Sequence, residues 1–354
     1  MQLGIIGLPM VGKSTVFQLL TGSEHTGASA GRSQNAIARI PDHRIDYLSS
    51  VYQPKKTTYA QLEVVDIPGL IPGSDKGGNV FLDSVRKADA LLHVVRAFDD
   101  PSVASLHSDN DPLRDLETIS YELLISDMDL IEKRIDRINN NKKRNQMQKE
   151  LDLLLNLQRT LEEEKPLSSV ELDTEEEQIM SSYQFLTMKP LLICININED
   201  DITTPAYLRR DQLLQFCLER EIPVMEMSAE IERQLLELSG EERSEFMADL
   251  GINESGLEKI ARNIYERLGL ISFFTVGEDE VKAWTIDQGN NAKTAAGKIH
   301  SDIERGFIRA EVFAYTDYIN HGSISALRDQ GLLRLEGKEY IVQDGDIVHF
   351  RFNV

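Results

Sequence analysis

Apolar positions along the chain fall into short runs separated by helical stripes. Residues 3–6, 61–66, 90–95, 190–196 and 222–227 each read as a strand, most of them buried. Val16, Phe17, Leu19 and Leu20 are spaced as the inner face of a helix. A short apolar stretch at 37–40 leads into a Pro41-Asp42 turn and a helix over 43–52, and residues 231–268 are mostly helical with glutamate-rich surfaces. Strands alternating with helices predict an α/β fold.

The pattern changes at Tyr121. Tyr121, Leu124, Met128, Ile131, Ile135 and Ile138 alternate three- and four-residue steps, as in a coiled-coil seam. After a polar stretch at 139–145 a second seam follows at Met147, Leu151, Leu154 and Leu161, interrupted by Gln158. Two seams joined by a polar tip predict an antiparallel helical hairpin inserted between strands. From about residue 271 a compact α+β unit is expected. It has strands at 273–276 and 280–286, a helix at 292–300 with Ala295, Ala296 and Ile299 on one face, and two short strands around Asp344-Gly345.

Charge alters this picture at two scales. The 354 residues carry 38 basic and 59 acidic side chains, a net charge of −21. Such a field opposes non-specific binding to nucleic acid or anionic lipid, so any such contact needs a local basic patch. One exists at the hairpin. Residues 132–149 hold seven basic and two acidic side chains, whereas 150–179 hold ten acidic and two basic. The two arms can neutralise each other, or the tip (Lys142, Lys143, Arg144) can meet an acidic partner such as RNA. Residues 271–354 are acidic, with nine basic and thirteen acidic side chains. Cys194 and Cys217 lie in apolar runs without metal-ligand spacing, as expected of reduced core cysteines in a cytoplasmic protein. No apolar run approaches a membrane span, and a strand beginning at residue 3 leaves no room for a signal peptide.

The candidate chemistry begins directly after the first strand. Gly7-Leu8-Pro9-Met10-Val11-Gly12-Lys13-Ser14 is a G-x-x-x-x-G-K-S sequence between a strand and a helix, the context of a phosphate-binding loop. Its glycines let backbone N–H groups wrap phosphates, and the helix N-terminus adds positive potential. Lys13 would reach the β- and γ-phosphates, and the Ser14 hydroxyl would ligate Mg²⁺. A second signal, Asp66-Ile67-Pro68-Gly69, ends a strand some fifty residues on. Asp66 can hold the metal through a water, and the Gly69 N–H can sense the γ-phosphate. The glycine-rich segment 70–79 and the polar loop 23–35 suit moving switches, though plain loops would look the same. Asn196-Ile197-Asn198-Glu199 and Ser228-Ala229-Glu230 end later strands where switch GTPases read the base. His93, inside a buried run, reads as a core histidine.

Together these motifs resemble the Obg-like ATPase (YchF) family of translation-factor-related P-loop GTPases. The resemblance spans nearly the whole chain, including His93-Val94-Val95-Arg96, Ala283-Trp284-Thr285-Ile286 and Gly306-Phe307-Ile308-Arg309-Ala310. It implies a Ras-like nucleotide domain in residues 1–118 and 187–270, an inserted helical hairpin in 119–186, and a C-terminal TGS domain in 271–354. It also implies slow nucleoside triphosphate hydrolysis and association with ribosomes. By this reading Leu8, Pro9, Met10, Val11, Gly12, Lys13, Ser14 and Thr15 cradle the phosphates, and Asn196, Ile197, Glu199, Ser228 and Ala229 hold the base. Glutamate in place of the guanine-reading aspartate suggests ATP; from the residues alone ATP and GTP are both open. Leu70 replaces a water-orienting glutamine, so turnover should be slow or use another group.

Several positions depart from the family. Met10 stands where an asparagine is usual and cannot coordinate K⁺ as that asparagine does in related enzymes, which argues against potassium dependence. Ala30 falls at the metal-closing switch threonine, with Thr26, Ser29 and Ser33 out of register. The second switch, Lys76-Gly77-Gly78-Asn79, is short. The family's catalytic histidine falls near Ser105, leaving His107 as the nearest imidazole. The expected function is therefore a triphosphate-binding switch acting with ribosomes or RNA. The alternatives are a nucleotide-binding scaffold without turnover and an RNA-binding module.

Overall fold

The computed structural model describes residues 1–23, 33–71, 75–100, 110–142 and 144–353. In chain order the elements are β1 (Gln2–Ile6), α1 (Lys13–Thr21), β2 (Gln34–Arg39), α2 (His43–Tyr52), β3 (Lys56–Thr58), β4 (Gln61–Asp66), α3 (Asp75–Lys87) and β5 (Ala90–Ala97). Next are α4 (Pro112–Asn139), α5 (Gln148–Glu162), α6 (Thr174–Met180), β6 (Leu191–Ile197), α7 (Arg210–Glu219), β7 (Val224–Met227), α8 (Ala229–Glu237), α9 (Gly240–Asp249) and α10 (Gly256–Arg267). The chain closes with β8 (Leu270–Thr275), β9 (Glu280–Asp287), α11 (Ala292–Ile299), α12 (Ser301–Arg305), β10 (Phe307–Ala314), α13 (Tyr315–His321), α14 (Ile324–Asp329), β11 (Arg334–Glu336) and β12 (Asp346–Phe352).

Two compact units result. The first comprises Met1–Ile37 and Glu63–Ile260, the second Ala38–Leu62 and Ala261–Val354. Residues 38–62, which the sequence groups with the nucleotide domain, thus pack with the C-terminal residues. Packing decides this: β3 pairs in parallel with β9, Lys56 opposite Glu280, and Arg44 of α2 bonds Asp344 at 2.6 Å while lying over the Phe274 ring.

The first unit is built on a sheet of order β2-β4-β1-β5-β6-β7, with β1 paired in parallel to both β4 and β5. Leu3, Ile5 and Ile6 are buried, as a strand covered on both faces requires. The N-terminal part of α3 contains Gly77 and Gly78, where a glycine-rich loop is the sequence expectation. Phe81 and Val85, one helical turn apart and both fully buried, hold this helix against the glycine penalty.

The hairpin also differs from its sequence reading. It begins at Pro112, capped by the Asp111 side chain on Arg114 N–H, so α4 is one helix of 28 residues. Leu113 and Leu116 pack with β5 and β6, while Ile131 and Ile138, further along the same helix, pack with Leu151, Leu154, Leu157 and Leu161 of α5. Tyr121 is no seam residue: it is 41% exposed and its hydroxyl bonds Glu164. The arms do neutralise each other in part, through Arg134–Glu150, and Lys149 of α5 pairs with Glu175 of α6. Lys142 and Arg144 are exposed, and Lys143 lies outside the described residues.

Asp127 fastens the hairpin's base. Its buried carboxylate accepts from the N–H groups of Leu186 and Thr187 and from the Thr187 hydroxyl, at 2.8–2.9 Å. Asp127→Ala strands three buried donors and is expected to lower the unfolding free energy by about 2–3 kcal/mol. An unchanged urea midpoint would contradict this.

The second unit is a sheet of order β11-β10-β12-β8-β9-β3, with α11 packed on it through Ala292, Ala295 and Ala296. The expected pair of strands around Asp344-Gly345 is a single strand, β12. Ile341 makes an isolated bridge to Asn291 instead, because the Asn290 carbonyl takes the next N–H, that of Val342.

Candidate nucleotide site

The candidate site lies at the C-terminal ends of β1, β4, β5 and β6, where ligands bind in open parallel sheets. The loop after β1 turns sharply. Gly7 has φ +148° and its backbone lies so near Val94 that a Cβ would stand 2.4 Å from the carbonyl. Met10 takes φ +64° and points outward, 55% exposed. Gly12, at φ +99°, opens α1 without a side-chain cap, so the first N–H groups of that helix are not claimed by one.

Lys13 is 8% exposed and its Nζ donates to the Leu8 carbonyl at 2.7 Å. Burial lowers its pKa to about 8, with Asp66 opposing. Ser14 Oγ donates to Asp66 Oδ2 at 2.6 Å, so the two oxygens assigned to one metal already meet, and an oxygen pair suits a hard divalent cation. Gly69 packs so tightly that a Cβ would stand 2.8 Å from Pro9 N and 3.0 Å from Lys13 Nζ. Leu70 is buried and offers no polar atom. His93, also buried, is driven to a pKa of about 3 by desolvation and then by Lys13, so it stays neutral. It is the core histidine its position predicts.

Beside the loop lies a cavity of about 480 Å³ lined by Gly12, Thr15, Asn196, Glu199, Ala229 and the 98–100 segment, among others. Asn196 clamps its floor. Its Nδ2 donates to the Val11 carbonyl at 3.2 Å and its Oδ1 accepts from Ala229 N–H at 3.0 Å. The Ile197 side chain is buried in the β5–β6–α7 core, so only part of it can border a ligand. Ser228 caps α8 by accepting from Ile231 N–H.

Residues 2–197 match the family model described as 50S ribosome-binding GTPase, and residues 270–353 match the C-terminal model of YchF GTPases, described as a protein of unknown function. The Ribosome-binding ATPase YchF of Bacillus subtilis is 41% identical over 99% of both chains, and that of Haemophilus influenzae is 41% identical with the same coverage. The chain belongs to the YchF family. The structure of the Schizosaccharomyces pombe YchF GTPase superposes with a TM-score of 0.87 at 34% identity, covering 99% of this chain and 97% of that one. The α/β fold with a P-loop GTPase domain and a C-terminal YchF domain accords with these relatives.

In this YchF chain, Leu8 to Thr15, Asp66, Gly69, Asn196, Glu199, Ser228 and Ala229 converge on one end of the sheet. Among the other assigned positions, His107, Ala30, Thr26 and Ser29 lie outside the described residues, and Ser33 bonds Ser84. Sequence reasoning missed Phe98, Asp99 and Asp100 as cavity walls. Arg96 holds this wall, donating to the Phe98 carbonyl at 3.0 Å and lying over its ring. The available signal was their place just after a buried strand. No helix among the described residues is long and apolar enough to cross a membrane.

Proposed function

We propose that this protein is a ribosome-associated switch that binds and slowly hydrolyses ATP in the cytoplasm. The observation that carries the reading is the Asn196 clamp, which ties the cavity floor to Val11 of the same loop that carries Lys13 and the Ser14–Asp66 pair. The B. subtilis and H. influenzae relatives, named as ribosome-binding ATPases, support the choice of partner and nucleotide. Glu199 in place of an aspartate agrees with ATP. Lys13 leaves the Leu8 carbonyl for the β- and γ-phosphates and stabilises charge on the transferred phosphoryl group. Gly69 presents its N–H to the γ-phosphate; Ser14 would hold Mg²⁺, with Asp66 supporting it through a water. The ion would neutralise charge on the phosphate oxygens. Leu70 cannot orient water, so turnover is slow. His107 is the candidate imidazole, and Met10, exposed and without a side-chain oxygen, makes K⁺ stimulation unexpected. The hairpin tip and the C-terminal residues 271–354 meet the ribosome.

Single-turnover reactions with ATP and GTP, with and without Mg²⁺, K⁺ and ribosomes, test this. Slow phosphate release that requires Mg²⁺ and Lys13, favours ATP and is indifferent to K⁺ is the expected result. Binding without release would favour a scaffold, for which buried Leu70 speaks. Salt-dependent RNA binding that is lost on reversing Lys142 and Arg144, with no nucleotide bound, would favour an RNA-binding module.

A further inference from the structure

Two groups that could read a base edge in this cavity are already engaged by the protein. Ala229 N–H, the donor at the end of β7, is taken by Asn196 Oδ1 at 3.0 Å. Glu199 Oε2 accepts from Gln234 Nε2 of α8 at 2.9 Å. Gln234 lies one helical turn after Glu230, which Arg233 grips on the same helix.

We propose that Gln234 is a specificity-determining residue, selecting the base by occupying one carboxylate oxygen of Glu199. The inference rests on the reading of this cavity as the base site of a nucleotide. Guanine presents a carbonyl acceptor and, on its ring N–H and amino group, two adjacent donors; adenine presents a single amino donor beside a ring acceptor. A carboxylate takes two adjacent donors best with one on each oxygen, and a donor already on one oxygen fixes the carboxylate's angle and competes for that oxygen. With Oε2 bonded to Gln234, Glu199 has one oxygen outside that competition, enough for one amino group. With Ala229 N–H on Asn196, the donor for a guanine carbonyl is spoken for too. Gln234 does not touch the base in this scheme; it acts through Glu199.

Calorimetric titration of the full-length protein with ADP and with GDP tests this. Gln234→Ala, and Gln234→Met, which keeps the bulk without the amide, are each expected to shift the GDP-to-ADP affinity ratio about tenfold toward GDP, the worth of one hydrogen bond to a charged group. In a Glu199→Ala background the same changes should leave the ratio unmoved, a dependence that a merely structural role would not show. If the wild type binds nucleotide and neither Gln234 variant moves the ratio, or the shift persists without Glu199, the proposal is overturned and the base-site reading stands. A wild type that binds neither nucleotide would overturn both.

Discussion

Lys13→Ala abolishes nucleotide binding measurable by calorimetry, while the protein without nucleotide stays folded. Among the described residues Lys13 Nζ has a single hydrogen-bond acceptor, the Leu8 carbonyl, and it sits almost fully buried. Burying an ammonium is unfavourable unless it meets a strong counter-charge, and a triphosphate supplies one. Removing the lysine therefore deletes the main cation of the phosphate cradle and relieves a desolvation penalty in the free protein. Acidity should report the same balance. The folded pKa of about 8 lies below the ordinary lysine value of 10.5, so between these values the unfolded chain binds more protons and stability rises with pH. The burial penalty is fully present below about pH 8. Phosphate binding runs the other way: above about pH 8 the amine must take up a proton to bind, and affinity falls. Titrations at pH 9 in buffers of different ionisation enthalpy would show that uptake. Equal heats across buffers, or undiminished affinity in Lys13→Ala, would refute the assignment.

Gly12→Ala removes binding and stability together. At φ +99° a side chain is strained by about 1–2 kcal/mol, and the new Cβ would stand 2.5 Å from Asn196 Nδ2. Asn196 must then release the Val11 carbonyl, the Ala229 N–H, or both. A loss of about 2–4 kcal/mol in unfolding free energy is expected, with nucleotide affinity reduced beyond detection. Gly22→Ala is the control. Gly22 also has positive φ, +64°, but a Cβ there meets nothing within 4 Å among the described residues, so only the backbone strain remains. Equal effects on binding at both positions would show that the Asn196 clamp is irrelevant.

Local order in the chain made part of this legible. The loop from Gly7 to Ser14 announces itself because residue type, spacing and flanking elements all serve one task. Asp66 and Asn196 follow from their places at strand ends. The apolar seams of the hairpin foretold its core, but amphipathic Tyr121 satisfied the same periodicity while facing water. Gly77 and Gly78 argued for a loop, and Phe81 and Val85 overruled them through contacts that residue type does not reveal. The transfer of residues 38–62 to the C-terminal unit depends on partners more than two hundred residues away, such as Asp344 for Arg44. Gln234 was invisible because a polar residue on a solvated helix looks the same whether or not it holds a carboxylate.

The unbroken course of α4 has a mechanical side. Its 28 residues, at about 1.5 Å of rise each, make a rod about 42 Å long. One end is set among β5 and β6, just after Asn110, whose amide holds the Phe98 carbonyl of the cavity wall at 3.0 Å. The other end carries the basic tip. Moving as one body, the helix would sweep that tip through about 4 Å for a tilt of about 5° at the root. The protein is thus geared: a displacement too small to disturb packing beside the base becomes, at the far end of the rod, a step about as large as a side chain.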